Sequence, residues 1–351
     1  MSTLQHSKSV ERDSNMELLR LVLMCLIVLH HGVVHGLNLE GLRLSSCILQ
    51  EQDFLPACIL NSLCIIAVNT FLLISGYYSI RTTKNKFTRL ILLVFIYTLL
   101  FSTSFILIKG GFRSALFSLL LFSHSRYWFI LDYLVLMVLA PAINLFFDNT
   151  TQKKKCLFVI ALIFISCYLG FIWHFEANVN GYTVFQFITL YSVGKYIHDS
   201  KIHLEKIPAL IIYLLCSIAL TLIMLFLHKS GHDERAWLMT YYNNPILIVS
   251  AIAFFFFFKN LKIRNPKINR ISASSLSIYL FTSSAFVENC YYSFISSAYT
   301  AHRECIFLTI TACALLLSTT AILIDKLLLS KLVERLHKGI LSIKPSKVSL
   351  S

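Results

Sequence analysis

Apolar runs of about 17–25 residues recur along most of the chain, and each is long enough for a helix to cross the roughly 30 Å hydrocarbon core of a bilayer. Ten are read, at approximately 17–36, 57–80, 88–108, 127–147, 156–173, 182–198, 208–228, 237–258, 273–295 and 305–329. Within hydrocarbon the backbone must satisfy its own N–H and C=O groups, so such runs fold as helices. The predicted fold is therefore all-α, a polytopic integral membrane protein of about ten transmembrane helices. A chain of 351 residues could otherwise hold two or three soluble domains. With 57% of residues hydrophobic and 14% charged, against about 45–50% and 25% in soluble proteins, that option falls away. Disordered, collagen-like and nucleic-acid-binding chains fall with it. Pro141, Gly170, Gly194 and Pro245 lie inside runs, where membrane helices tolerate them. The five phenylalanines 254–258 read as lipid-facing or packing residues. No internal repeat is found.

The net charge of +14 is explained by where the cations sit. If the N-terminus is inside, the inside segments hold 22 of the 31 lysines and arginines and the outside loops hold 7. Cytoplasmic loops carry the excess of Lys and Arg, so both termini are expected in the cytoplasm. The organisation expected is a cytoplasmic tail over 1–16, a transmembrane domain over 17–329 and a basic cytoplasmic tail over 330–351. The first run is too long for a signal peptide, holds Arg20, His30 and His31, and lacks a small-x-small cleavage site, so it reads as a retained span. The ten cysteines form no CxxC pair and mostly act as small apolar residues. Pairing of Cys47 with Cys58 at an oxidising outer face is left open.

An ionisable side chain within the bilayer costs at least about 2.5–3.5 kcal/mol, so each one asks for a reason. The first run holds Glu17, Arg20, His30, His31 and His35. At about 100° per residue, Arg20 and His31 share one helical face some 16 Å apart along the axis, whereas His30 diverges by about 100°. Taken singly, Arg20 reads equally as a snorkelling residue and each His as a core imidazole with a backbone partner. Together with Glu17, one turn before Arg20, they suggest a polar cavity that only His31 and His35 share with Arg20. Asp132 follows Tyr127-Trp128-Phe129, which reads as an aromatic belt at the outer interface, and is placed to hold His31 or Arg126. Glu288 reads equally as packing and as function. The loop holding Arg81, Lys84, Lys86 and Arg89 is either a solvated topogenic loop or a phosphate-binding one, since it follows Ser75-Gly76-Tyr77-Tyr78, where Gly allows close backbone approach.

Several of these segments resemble acyltransferase family 3, the bacterial integral-membrane O-acyltransferases. Arg20 followed by ten residues and His31 is similar to the family's first-helix Arg-x10-His signature. Ile74-Ser75-Gly76-Tyr77-Tyr78 resembles its second-helix Ser-Gly-aromatic motif, and Lys86-Phe87-Thr88-Arg89 resembles its Arg-x-x-Arg with Lys in first place. Arg126-Tyr127-Trp128-Phe129 through Pro141 resembles its Tyr-Trp…Pro segment. Tyr191–Tyr196 and Ser277–Leu280 are similar to later landmarks. The chain departs from the pattern at Thr282, where members often carry His, and at Asp132, where many carry Glu nearby. It resembles the stand-alone form without a fused esterase-like domain.

The resemblance implies transfer of an acyl group, most often acetyl, from acetyl-CoA or another acyl-CoA to a sugar hydroxyl. The acceptor implied is a surface polysaccharide such as an O-antigen, or a lipid-linked saccharide precursor. It also implies residence in the bacterial cytoplasmic (inner) membrane, with no bound cofactor and no metal. A sugar hydroxyl attacks a thioester poorly until a base removes its proton, and imidazole suits that task near neutral pH. His31 is expected as that base. Arg20, oriented by Glu17, is expected at the donor phosphates or a developing oxyanion. Arg81, Lys86, Arg89, Ser75 and Gly76 are expected to hold acyl-CoA, and Trp128, Asp132 and His35 the acceptor. The competing reading is a transporter with Arg20, His31, Asp132 and Glu288 along a solute or proton path. A polytopic polymerase or glycosyltransferase would need a large outer loop or a metal-binding Asp pair, and neither is seen in the sequence.

Overall fold

The computed structural model describes residues 13–119, except 45 and 48, together with 127–174 and 178–342. Arg126, the first residue of the Tyr-Trp segment, lies outside them. Helix is the only regular secondary structure among the described residues. The chain runs through α1 (Ser14–His31), which continues as a π-helical turn over Gly32–Gly36, then α2 (Glu51–Cys64) and α3 (Ala67–Tyr77). Next come α4 (Lys84–Tyr97), α5 (Ser104–Ser118), α6 (Trp128–Asp148), α7 (Gln152–Ile163) and α8 (Val184–Asp199). The second half holds α9 (Lys206–Lys229), α10 (Asp233–Leu238), α11 (Pro245–Lys259), α12 (Pro266–Ser272), α13 (Ser275–Thr282), α14 (Ala285–Ala301), α15 (Ile306–Ile324) and α16 (Ser330–Ser342).

Seven helical rods among the described residues are long and apolar enough to cross a membrane: Ser14–Gly36, Glu51–Tyr77, Lys84–Phe117, Trp128–Asp148, Gln152–Ile172, Lys206–Lys229 and Arg303–Ile340. The protein is therefore a multi-pass membrane protein. Runs six, eight and nine of the sequence correspond to shorter or broken pieces: α8, α11, and the pair α13 and α14. Local chemistry sets the starts of several helices. Thr83 caps α4 and Thr183 caps α8 through their side-chain oxygens. Asn244-Pro245 and Asn265-Pro266 each place an Asn cap before a Pro at the first helical position.

The rod Glu51–Tyr77 is central, with 78% of its most apolar stretch buried, against 28% for Lys206–Lys229. Its tightest neighbour is α8. The Cα of Gly76 faces the Tyr191 backbone carbonyl, and that of Gly194 faces the Leu73 carbonyl, so a side chain at either position would meet backbone. Close approach through small residues is a standard way to pack helices where water supplies no hydrophobic drive. The five phenylalanines of α11 are packing residues, four of them buried, with Phe255 fully enclosed.

Polar contacts gather the loops at two ends. At one, Asn15 donates to the Lys259 carbonyl (2.9 Å), Tyr78 donates to Asp13 (2.6 Å) and Asn144 donates to the Ile80 carbonyl (3.0 Å). Lys155 pairs with Asp199 (2.7 Å) and Lys195 with Asp148 (3.2 Å) at the same end. At the other, Arg303 pairs with Asp53 (3.4 Å), His228 with Asp233 (2.6 Å), and the Tyr242 N–H donates to the Asn180 carbonyl (3.0 Å).

The boundary expected at 329/330 falls inside a helix. α15 continues through a π-helical turn at Asp325–Leu329 into α16. Leu329 and Val333 are one turn apart and buried, so the basic segment holds an apolar stripe and extends the helix instead of leaving it as a tail.

Candidate active site

A cavity of about 630 Å³ opens at the end of the bundle that holds Glu40 and Arg43. α1 and the π-helical turn that continues it supply its polar wall with His30, His31 and His35. Opposite them stand aromatic side chains, among them Trp128, Tyr182, Trp237 and Tyr242, and α14 adds Glu288 and Tyr292.

The three histidines are held differently. His30 is buried and its Nδ1 bonds to Asn61 Oδ1 at 2.8 Å. His35 Nδ1 bonds to Glu40 Oε1 at 2.9 Å, and its ring lies 5.0 Å from that of Tyr292. His31 stands between them, ring centroids 5.9 Å from His30 and 5.5 Å from His35. It lines the cavity, and among the described residues its ring nitrogens make no hydrogen bond. Burial alone would raise the Glu40 carboxyl. The His35 hydrogen bond and the electrostatic pull of the neighbouring His35 and Arg43 side chains outweigh it, and hold Glu40 below the usual carboxylate range.

The expected division between His30 and His31 does not hold, because both line the cavity. Side chains about 100° apart on a helix can both border a space wide enough to subtend that angle. Tyr127-Trp128-Phe129 is not a lipid-facing belt. Tyr127 and Phe129 are each 5% exposed, Tyr127 donates to the Leu280 carbonyl (3.3 Å), and Trp128 lies 4.7 Å from Tyr182 and 6.0 Å from Tyr242 by ring centroids. The belt residues turn inward because the cavity offers both apolar area and polar partners. Asp132 is half-buried, is not on the cavity wall, and pairs with no basic residue among those described.

Arg20 and Glu17 lie beyond the cavity toward the other end of α1. Glu17 is buried, forms an ion pair with Arg20 one turn on, and accepts a hydrogen bond from Ser272 Oγ at 2.5 Å. Ser75 Oγ lies 3.4 Å from Tyr133 Oη, and Arg20 is close enough for its charge to reach Tyr133 and Tyr78. Gly76 is committed to the α8 contact. Arg81 is exposed on the loop before α4 and Lys86 is exposed in its first turn, where Lys86 Nζ reaches the Arg81 carbonyl (3.4 Å). Arg89 instead lines a second cavity of about 400 Å³ together with Arg270 and Lys326. Arg20, His31, Asp132 and Glu288 are thus not gathered on one path: His31 and Glu288 border the main cavity, the other two do not. Cys47 and Cys58 are free thiols.

The sequence reading missed Asn61, Glu40, Arg43, Tyr182, Trp237 and Tyr242. Asn61 had a signal, one of two amides, with Asn69, in an apolar run. The others come from loops and short helices far apart in sequence. Two buried amides fix one of them, since Asn69 and Gln186 both donate to the Tyr242 carbonyl, at 2.8 Å and 3.0 Å.

The sequence profile of a family described as an acyltransferase domain matches residues 13–324, which include both the cavity and the Arg20 end of α1. No curated protein and no solved structure matches the chain.

Proposed function

The chain belongs to acyltransferase family 3, and on that premise we propose that it moves an acetyl group from acetyl-CoA to a sugar hydroxyl. The acceptor is a surface polysaccharide, or its lipid-linked precursor, at the bacterial cytoplasmic membrane. One observation carries this reading: His31 lines a cavity walled by aromatic rings and makes no side-chain hydrogen bond among the described residues. Such rings offer flat apolar faces to a sugar while their polar edges fix its orientation.

In the reaction His31 takes the proton of the acceptor hydroxyl as its oxygen attacks the thioester carbonyl. The carbon–sulfur bond breaks, an oxygen ester forms, and the proton passes from the imidazole to the departing thiolate, which leaves as free CoA. Glu40 holds His35, and Asn61 holds His30, so the two neighbouring imidazoles are fixed while His31 is left for the acceptor. Arg20, braced by Glu17, stands about 16 Å along the axis from His31 and faces the donor, with Arg81, Lys86 and Arg89 for its phosphates. Ten crossings with both termini cytoplasmic put that end inside. The basic loops support this orientation by gathering there. Reporter fusions at Lys154 and Asn265 should read cytoplasmic, and those at Asn178 and Gly231 extracytoplasmic.

Isolated native membranes given acetyl-CoA labelled in the acetyl group test the reaction. Label should enter the glycan and be released by mild base. A glycan that stays unlabelled, with altered export on deletion of the protein, would replace this reading with the transporter.

A further inference from the structure

At the wall of the His31 cavity, along α3 and α6 on the side away from its mouth, three aromatic rings meet. Phe71 on α3 and Phe129 and Tyr133 on α6 form a triangle, with centroids 5.7 Å apart for Phe71–Phe129, 6.1 Å for Phe71–Tyr133 and 5.9 Å for Phe129–Tyr133. The three helices agree on the order. On α6, Phe129 is on the cavity wall and Tyr133 is one turn below it. On α3, Val68 is on the wall, Phe71 comes next, and Ser75 follows with its hydroxyl at Tyr133. On α1, Ile27 is on the wall and Arg20 is two turns below.

The rings are not equally held. Phe129 is 5% exposed and lies within 6.1 Å of four rings besides Phe71: Trp128, Tyr133, Phe187 and Tyr279. Tyr133 stacks on it at 18° and is tied to Ser75. Among the described residues the aromatic rings that Phe71 meets are the other two of the triangle, nearly edge-on at 76° and 64°, and it keeps part of its surface accessible. Phe129 and Tyr133 are therefore the fixed wall, and Phe71 is the ring that can turn.

We propose that this triangle is the acyl-size filter of the enzyme, with Phe71 as its movable element. The proposal rests on the reading above, in which the donor is held at the Arg20 end and the acceptor in the His31 cavity. The thioester must then pass this layer to reach His31. Packed aromatic carbon resists each added methylene, because the two held rings can give way only by displacing their own neighbours. A two-carbon acyl group needs one ring rotation, while a four-carbon group must push the wall. Discrimination by a packed apolar site amounts to about 10–200-fold per methylene.

The test compares acetyl-CoA and butyryl-CoA as donors in native membranes, reading both free CoA thiol and the ester on the glycan by mass spectrometry. Phe71→Ala should raise the butyryl-to-acetyl rate ratio by about tenfold or more, and Phe71→Leu should raise it less. Phe105→Ala removes a ring that packs on Phe286 outside the layer and should leave the ratio unchanged. A ratio within about twofold of the parent in the Phe71 variants, with acetyl transfer intact, overturns the filter and leaves the proposed function standing. A parent that transfers neither group overturns the donor reading and the filter together, and the silent parent tells the two failures apart. If Phe71→Ala does not accumulate, Phe71→Leu decides on the same criterion.

Discussion

Replacing His31 and His30 one at a time separates chemistry from packing on adjacent residues of one helix. His31→Gln keeps a polar side chain of similar reach but removes the imidazole that is proposed to take the proton. Loss of a general base lowers the rate by about 10²–10⁴-fold, equivalent to about 2.7–5.4 kcal/mol in the barrier at 1.36 kcal/mol per decade. Stability should barely move, since His31 gives up ring contacts with His30 and His35 and no hydrogen bond among the described residues. His30→Ala should do the reverse. It removes the 2.8 Å bond to Asn61, and Asn61 Nδ2 already lacks a partner. The amide would then be buried with neither end satisfied, at a cost of about 1–3 kcal/mol. That loss should appear as lower thermal stability in detergent and lower abundance, with activity per molecule kept within about tenfold of the parent. The assay is glycan acetylation normalised to membrane protein level, with a melting curve for each variant. Normalised activity above about one tenth of the parent in His31→Gln would refute the base assignment. Abolished activity in a fully stable His30→Ala would move the base to His30, since both rings border the cavity.

The exposed pair Arg81 and Lys86 should act on the donor alone: the double Ala variant should raise KM for acetyl-CoA, as should added salt in the parent, and an unchanged KM returns the loop to topogenesis. Gly76→Ala would put a methyl group against the Tyr191 backbone, with its carbonyl carbon at 2.7 Å and Cα at 2.9 Å. Overpacking of this kind costs about 1–3 kcal/mol, so the variant should melt earlier, and undiminished stability would contradict the tight α3–α8 contact. Glu40 has a lowered carboxyl pKa in the folded protein, so its contribution to stability is present above the unfolded carboxylate pKa, about 4.3, and is lost as pH falls through the lower folded value. Glu40→Gln should therefore melt earlier than the parent at neutral pH, and the gap should close on acidification. A gap that widens in acid would remove the pairing with His35.

The membrane architecture was legible because run length is a one-dimensional signal: a helix that must bury about 20 residues in hydrocarbon leaves that length in the sequence. What the same signal hides is inward direction. Tyr127-Trp128-Phe129 matches an interfacial belt in composition, and three residues hold too little periodicity to show that they face a cavity. The segment over 330–342 matched a basic tail because its cations dominate, while Leu329 and Val333, which bury a face of the continuing helix, are too few to register. Asn61 was available to the same reasoning that singled out the histidines, an expensive polar group in an apolar run. Tyr182, Trp237 and Tyr242 were not, since they meet only after loops and short helices from several parts of the chain converge.

Arg20 and His31 show how a correct local inference can still misplace a site. Eleven residues do return to one helical face, and the helix does carry both. Sharing a face, however, says nothing about whether the space alongside is continuous. Here Arg20 is not on the wall of the cavity that His31 borders, and in the filter proposed above Phe71, Phe129 and Tyr133 of α3 and α6 separate the two. The wall residues on all three helices stop at the same height, with Ile27, Val68 and Phe129. The helical stripe therefore describes two polar places in series instead of one cavity. For an enzyme whose two substrates are proposed to arrive from opposite sides of a bilayer, a series arrangement has a physical use. An open polar path between the two ends would leak ions, whereas an apolar layer one ring thick excludes water and hydrated ions until an acyl group parts it. Widening that layer should thus carry a cost besides relaxed specificity. Phe71→Ala should raise proton permeability in reconstituted vesicles that hold no donor, and Phe105→Ala should not. A tight Phe71→Ala vesicle would mean that the seal lies elsewhere.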